Sequence, residues 1–225
     1  MKKYIAIAGF ILLCMRNTSV AQEKINQFDI NGKRTGVWEK FYTNNRIRYH
    51  GQFEAGKEVG VFKYYSALSS EYPIAIKTFE KGSSIAEVKF YTDKGILESE
   101  GKMNGKKRIG KWLYFHEDGN AILSEENYLN GLLNGESKTY YKSGEITEIL
   151  FYANGKLHGN AKRYDINGTL ISDLTYENGK LHGLAKYFNL DGELMYTGNY
   201  ENDVKTGKWE YYENGEEKNV NKIKQ

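Results

Sequence analysis

The chain is nearly without cysteine and nearly without proline: Cys14 and Pro73 are the only ones in 225 residues. It also has one long apolar run and no more. The opening MKKYIAIAGFILLCMRNTSVAQ places Lys2 and Lys3 before a mostly apolar stretch from Tyr4 to Met15, then Ser19-Val20-Ala21. That is the layout of a secretory signal peptide cut before Gln22. The run is too short for a membrane span, which needs about 20 apolar residues. Leu13 stands before Cys14, where lipoprotein processing wants a small residue, so an anchor at Cys14 is not the expected outcome. Removing residues 1–21 takes away the sole cysteine, and with it disulfides, a thiolate nucleophile and cysteine-held metal. It also takes Lys2, Lys3 and Arg16, leaving twenty-nine basic residues against 29 acidic ones. A formally neutral chain lacks the basic excess by which proteins grip nucleic acid, so no nucleic-acid partner is expected. The lone proline leaves no proline-rich linker to divide the remainder.

What the chain has in abundance is glycine, with 24 residues, and rings, with 19 Tyr, 10 Phe and 3 Trp. They recur on a period. Phe41, Tyr65, Tyr91, Phe115, Tyr140, Tyr164, Phe188 and Tyr212 follow one another at steps of 24 to 26 residues. Each stands five residues after a leading position held by Gly36, Gly60, Ala86, Gly110, Gly135, Gly159, Gly183 and Gly207. A second apolar column runs through Phe53, Phe79, Met103, Tyr128, Tyr152, Tyr176 and Tyr200. Fixed-period similarity of this kind marks a repeat array. It divides the chain into a signal peptide (1–21), a lead-in (22–30), eight repeats (31–217) and a basic C-terminal tail (218–225). The longest step leaves an irregular segment in the second repeat, Ser66 to Ile76, as the first place to seek a unique site.

Between the glycines lie segments of roughly seven to nine residues rich in Tyr, Phe, Thr and Ile, too short for ordinary helices. Many joins are Asn-Gly or Asp-Gly, which suit the type I′ turn of a tight hairpin. The expected fold is all-β: about eight β-hairpins in an elongated, twisted antiparallel meander. The phrases YANGKLHGNAKRY at 152–164 and YENGKLHGLAKY at 176–187 resemble the MORN repeat, in its bacterial variant, whose chains often carry the label YwqK-type antitoxin. The resemblance implies an interaction scaffold with suggested membrane-surface contacts, and its motif carries no catalytic residues.

Stacked repeats bury rings against neighbours, so the column from Phe41 to Tyr212 is read as a structural ladder. Strand alternation puts offsets three and five on one face, two and four on the other. The second face holds Trp38, Phe62, Tyr64, Trp112, Tyr114, Tyr187, Trp209 and Tyr211. Either coiling of the sheet covers these rings, the favoured reading, or they form an exposed surface that grips a partner. Lysines at offset three (Lys63, Lys89, Lys138, Lys162, Lys186) are read as a solvated face rather than a headgroup site. His158 and His182 lie about 9.5 Å apart by strand spacing, with no third ligand column, so no metal is expected. No other cofactor is expected either.

Catalysis normally concentrates special residues at one place, and here they are spread by period. The expectation is a non-enzymatic, exported scaffold in the periplasm, outer envelope or medium, binding a protein partner or touching the envelope. Two alternatives are an antitoxin- or immunity-like protein that neutralises a toxic partner, and a carbohydrate-binding or glycan-acting protein.

Overall fold

A computed structural model describes residues 24–80 and 82–218. The expected signal peptide with Cys14, and the tail beyond Lys218, lie outside the described residues. The described chain is all-β, one open sheet of antiparallel strands. The first half comprises β1 (Gln27–Phe28), β2 (Arg34–Phe41), β3 (Ile47–Glu54), β4 (Lys57–Tyr65), β5 (Pro73–Phe79), β6 (Ile85–Tyr91), β7 (Leu97–Asn104), β8 (Lys107–Phe115) and β9 (Ile122–Leu129). The second comprises β10 (Leu132–Leu133), β11 (Gly135–Tyr140), β12 (Ile146–Ala153), β13 (Lys156–Tyr164), β14 (Leu170–Glu177), β15 (Lys180–Phe188), β16 (Leu194–Glu201), β17 (Val204–Glu213) and β18 (Glu216–Glu217). Each strand pairs with the next except β10 and β11, which are two pieces of one strand broken at Asn134 and both pair with β9. The lead-in contributes more than a leader. Gln27 and Phe28 pair with Thr35 and Arg34, and Phe28 packs edge-on against Trp38.

The two margins of the sheet use different turns. One carries two-residue turns such as Asn154-Gly155, with φ of 50° and 80°, the type I′ geometry that Asn-Gly favours. The other carries longer turns such as Asp165–Thr169, where the Asp165 carboxylate accepts from the Thr169 N–H and Gly168 takes a positive φ. On the tight-turn margin, successive turns are also tied to one another. The N–H groups of Gly56, Gly131, Gly155, Gly179 and Asp203 donate to the carbonyls of Arg34, Arg108, Leu133, Leu157 and Leu181. The repeat length is thereby fixed by backbone geometry as well as by packing: a turn must arrive where the preceding one left a carbonyl.

The leading glycines serve neither a reversal nor a close approach to a ring. Gly60 has φ of 65° and sits where the β3–β4 register shifts. Equivalent shifts mark β12–β13, β14–β15 and β16–β17. The third repeat has Ala86 instead, and there β5 and β6 pair without a shift. A β-branched or alanine side chain resists positive φ, so the exception in the glycine column pairs without a bulge.

Packing corrects the expected ladder. Phe41, Tyr65, Tyr91, Phe115, Tyr140, Tyr164, Phe188 and Tyr212 form no ring pairs with one another; Phe41 is 49% exposed. Seven of them face an aliphatic or proline partner across the strand: Ile47, Pro73, Leu97, Ile122, Ile146, Leu170 and Leu194. A register shift precedes each of these pairs, so the column forms an aromatic–aliphatic stripe near the long-turn margin. The ring contacts and the buried side chains concentrate on the other face, at offsets two and four. Phe62 and Trp112 are 1% and 0% exposed.

A single-layer sheet buries a tryptophan by laying it flat on a neighbour that has no side chain. Trp112 lies over Gly101, where an added Cβ would fall 2.5 Å from the ring. Phe62 covers Gly51 and Trp209 covers Gly198 in the same way. Where the later residue is small, the earlier one is large: Lys77 faces Val88, Leu150 faces Ala161 and Leu174 faces Ala185. Large meets small at these six pairs, while Phe62 faces Lys77 and Trp112 faces Glu126 on the following strand.

Candidate interaction surface

The two faces differ in chemistry. One row runs across fifteen strands at offset three, one residue per strand. It contains the five lysines Lys63, Lys89, Lys138, Lys162 and Lys186. Interleaved with them are five acids: Glu39, Glu100, Glu125, Asp173 and Glu210. Lys89 meets Glu100 at 2.8 Å, and that hydrogen bond holds its pKa above the ordinary lysine value. Lys162 meets Asp173 at 3.5 Å. This ionic face balances its own charge, which leaves its lysines little to offer a headgroup layer.

The ring face is different. Its rings are capped by cations rather than by acids. Arg34 lies 4.8 Å over Trp38 and 5.1 Å over Phe53. Arg108 covers Trp112, Tyr114 and Tyr128 at 4.7 to 5.7 Å, and Lys205 sits 4.0 Å over Trp209. Such cation–π contacts are worth roughly 0.5–2 kcal/mol each. The tyrosines at the border of the packed region are pinned through their hydroxyls. Tyr114 bonds Tyr128 at 3.0 Å, and Tyr128 donates to Glu126 at 2.5 Å. Tyr64 donates to Glu58 at 3.1 Å. Burial first, then these bonds and the nearby carboxylates, push the Tyr64 and Tyr114 hydroxyls well above the ordinary tyrosine range.

Of the eight rings read as a partner face, Phe62 and Trp112 are covered and unavailable to a partner, because each lies on a glycine beneath its neighbours. Trp38, Tyr64, Tyr114, Tyr187 and Trp209 are half-buried, and Tyr211 is exposed at 37%. Tyr187 and Tyr196 stack at 4.5 Å, and Tyr196 continues to Trp209 and Tyr211. The face therefore offers ring edges and hydroxyls along a packed floor, and the middle repeats are lined by small residues such as Ser137, Ala161 and Ala185.

One cleft interrupts this regularity. It has a volume of about 650 Å³ and lies on the ring face between the first and third repeats, with Tyr49, Phe53, Tyr64 and Phe79 among its walls. Its cations are Arg34, Lys57 and Lys77, and its acid is Glu58. Its rim includes Gly82, Ser83, Ser84 and Gly105, on the tight-turn margin. Among the described residues, the turns at 80–84 and 105–106 make none of the turn-to-turn backbone bonds that close this margin elsewhere. The segment Ser66–Ile76, expected to hold the unique site, lies at the opposite margin and does not line the cleft. Beside it is a cavity of about 380 Å³ lined by Phe90, Met103, Lys106, Lys107, Arg108, Asn130 and Gly131.

Sequence reading missed the covered glycines Gly51, Gly101 and Gly198 and the capping cations. It also missed a charge asymmetry. Residues 31–108 carry fifteen Lys and Arg against nine Asp and Glu, whereas 109–217 carry ten against eighteen. Formal neutrality of the whole hid a basic half and an acidic half. For the histidines, His182 approaches Glu177 at 3.5 Å; among the described residues no three His, Cys, Asp or Glu side chains gather as a metal site.

Comparison with curated proteins yields no match. A family model described as "MORN repeat variant" matches residues 133–154, 157–178 and 181–202. Those spans are the fifth, sixth and seventh repeats, each running from the strand with the leading glycine to the hairpin that follows. The matched repeat type is non-enzymatic and is generally one that binds proteins or membranes. Three consecutive repeats of this chain are thus MORN repeats of the variant type, set in a sheet that continues the same hairpin plan on both sides.

Proposed function

We propose that this protein is an exported, non-enzymatic scaffold that holds a protein partner along the ring face of its sheet, in the cell envelope or outside the cell. The observation that carries the reading is the contrast between the faces. On the ionic face Lys89 and Lys162 are paired with Glu100 and Asp173, while the ring face presents half-buried tyrosines, cation-capped rings and a cleft of about 650 Å³. A partner laid on the ring face gains apolar contact without separating many ion pairs. Export rests on the sequence alone, on the Lys2-Lys3 start and the apolar run to Met15.

The test is photo-crosslinking in the native cell. A crosslinking side chain at Tyr187 or Tyr211 should capture a discrete protein, and the same group at Lys63 or Lys186 on the ionic face should not. Capture from both faces alike, or from neither, refutes the assignment. Fractionation with sequencing of the mature N-terminus tests export; an uncleaved cytoplasmic chain ends that part. The antitoxin-like role is the special case in which the captured protein is toxic when produced alone.

A further inference from the structure

We infer that the cleft between the first and third repeats is a recognition site for an acidic, extended polypeptide segment. This rests on the scaffold reading and names the chemistry of the partner at one place. The cleft is built by a local failure of the repeat rules. Five positions, 80–84, separate β5 from β6 where two-residue turns stand elsewhere, Ala86 replaces the bulge glycine, and among the described residues no turn-to-turn backbone bond closes the margin here. Three cations line the opening, and two are already oriented. Arg34 is held over Trp38 and Phe53 with its Nη1 3.4 Å from the Tyr49 hydroxyl, and Lys77 lies 5.5 Å over Tyr64. Glu58, the acid of the wall, already accepts the Tyr64 hydroxyl. No acid lines the adjoining cavity, where Lys106, Lys107 and Arg108 extend the positive charge along the margin.

A carboxylate entering here meets cations that have no ion-pair partner among the described residues, above an apolar floor of Phe53 and Phe79. The concavity favours a chain over a bilayer, since an extended segment can lie along Phe53 and Phe79 between these cations, whereas a flat lipid surface meets only the rim. The ionic face, balanced as it is, gives a membrane no second hold.

The probe is a dye-labelled decaglutamate peptide, titrated against the purified chain by fluorescence anisotropy at low and at moderate salt. Lys57→Glu combined with Lys107→Glu leaves the packed rings and their caps in place. It should weaken binding about tenfold, the equivalent of two rim charge pairs, and flatten the salt dependence. The control, Lys63→Glu with Lys186→Glu, makes the same change in net charge on the ionic face and should leave binding unchanged. Circular dichroism confirms that both variants fold. Equal losses in the two variants mean a nonspecific charge effect and overturn the site, as does no loss in the first. Anionic phosphatidylglycerol vesicles should bind the two variants alike. Selective loss of vesicle binding in the cleft variant overturns the polypeptide assignment. Where crosslinking captures a partner on the ring face but decaglutamate binds the cleft variant as tightly as the unaltered chain, this inference falls alone. Where nothing is captured on that face, the scaffold reading falls, whatever the peptide does.

Discussion

Replacing Gly101 tests the packing rule directly. Its backbone needs no positive φ, so alanine should be tolerated on conformational grounds and even favoured over glycine in a strand by about 0.5–1 kcal/mol. The obstacle is Trp112. An added Cβ would lie 2.5 to 2.6 Å from three ring carbons of a side chain that is fully buried, donates its Nε1 to the Lys102 carbonyl at 3.0 Å, and is capped by Arg108. Overpacking of this kind costs typically 1–3 kcal/mol and occasionally more, so Gly101→Ala should destabilise despite the strand preference, and Gly101→Leu should do so more. Trp112→Ala alone should cost about 3–5 kcal/mol by leaving a cavity. The double variant Gly101→Leu with Trp112→Ala recreates the Leu150–Ala161 pair found two repeats later. Its cost should fall short of the sum of the single costs by more than about 1 kcal/mol, within the coupling usual for contacting residues. Urea unfolding followed by circular dichroism gives all four values. Additivity within about 0.5 kcal/mol would refute large-against-small pairing as the basis of the core.

Three further outcomes rest on single side chains of the same sheet. Trp112→Phe should cost about 1 kcal/mol more than Trp209→Phe by urea midpoint, because the Trp112 indole N–H has an acceptor and the buried Trp209 N–H has none among the described residues. At high pH the tyrosines should couple ionisation to unfolding. Folded-state values raised above the ordinary 10.0 at Tyr64, Tyr114, Tyr128, Tyr152 and Tyr176 mean stability intact below that pH and lost as pH rises beyond it. Tyrosinate absorbance and circular dichroism should then change together, and tyrosines that ionise freely while the fold persists would contradict it. At low pH, Asp118 should titrate near about 2 in an NMR titration, because the Lys142 ammonium at 2.8 Å and then the Asn120 N–H hold its carboxylate. Its contribution is therefore present above the ordinary 3.8 and lost as pH falls toward 2, and Lys142→Ala should return its pKa toward 3.8.

The period, the all-β class and the turn chemistry were readable because each is a local property: Asn178 and Gly179 adopt positive φ where Asn-Gly invites a type I′ turn. Alternation also separated the two faces correctly. The identity of the core was not readable from the column that varies least. Offset five is always a ring, and in seven of the eight repeats it pairs with one aliphatic or proline neighbour at a fixed place near the long turn. Offset two changes from Trp112 to Ala161 because its partner changes from Gly101 to Leu150. A core made by complementary sizes looks irregular in any single column, and its regularity appears only when two columns are read across the strands. The three covered glycines sit in YHGQF, SEGKM and YTGNY, each followed eleven residues later by Phe62, Trp112 or Trp209. That offset was a signal in the sequence, hidden by the more frequent glycines of the turns.

The same logic separates what repetition can do from what it cannot. A perfect array closes its tight-turn margin at every step, since each turn finds the carbonyl left by the one before it, as Gly155 finds Leu133 and Gly179 finds Leu157. Such a surface has no privileged position, and a partner could bind it in several registers of nearly equal energy. Ala86 and the 80–84 loop remove that degeneracy. By suppressing one bulge they keep β5 and β6 in plain register, and among the described residues the turn-to-turn bonds are missing here and at the next turn, 105–106. The irregular repeat, the one that resembles the motif least, is consequently the place where the array gains an address.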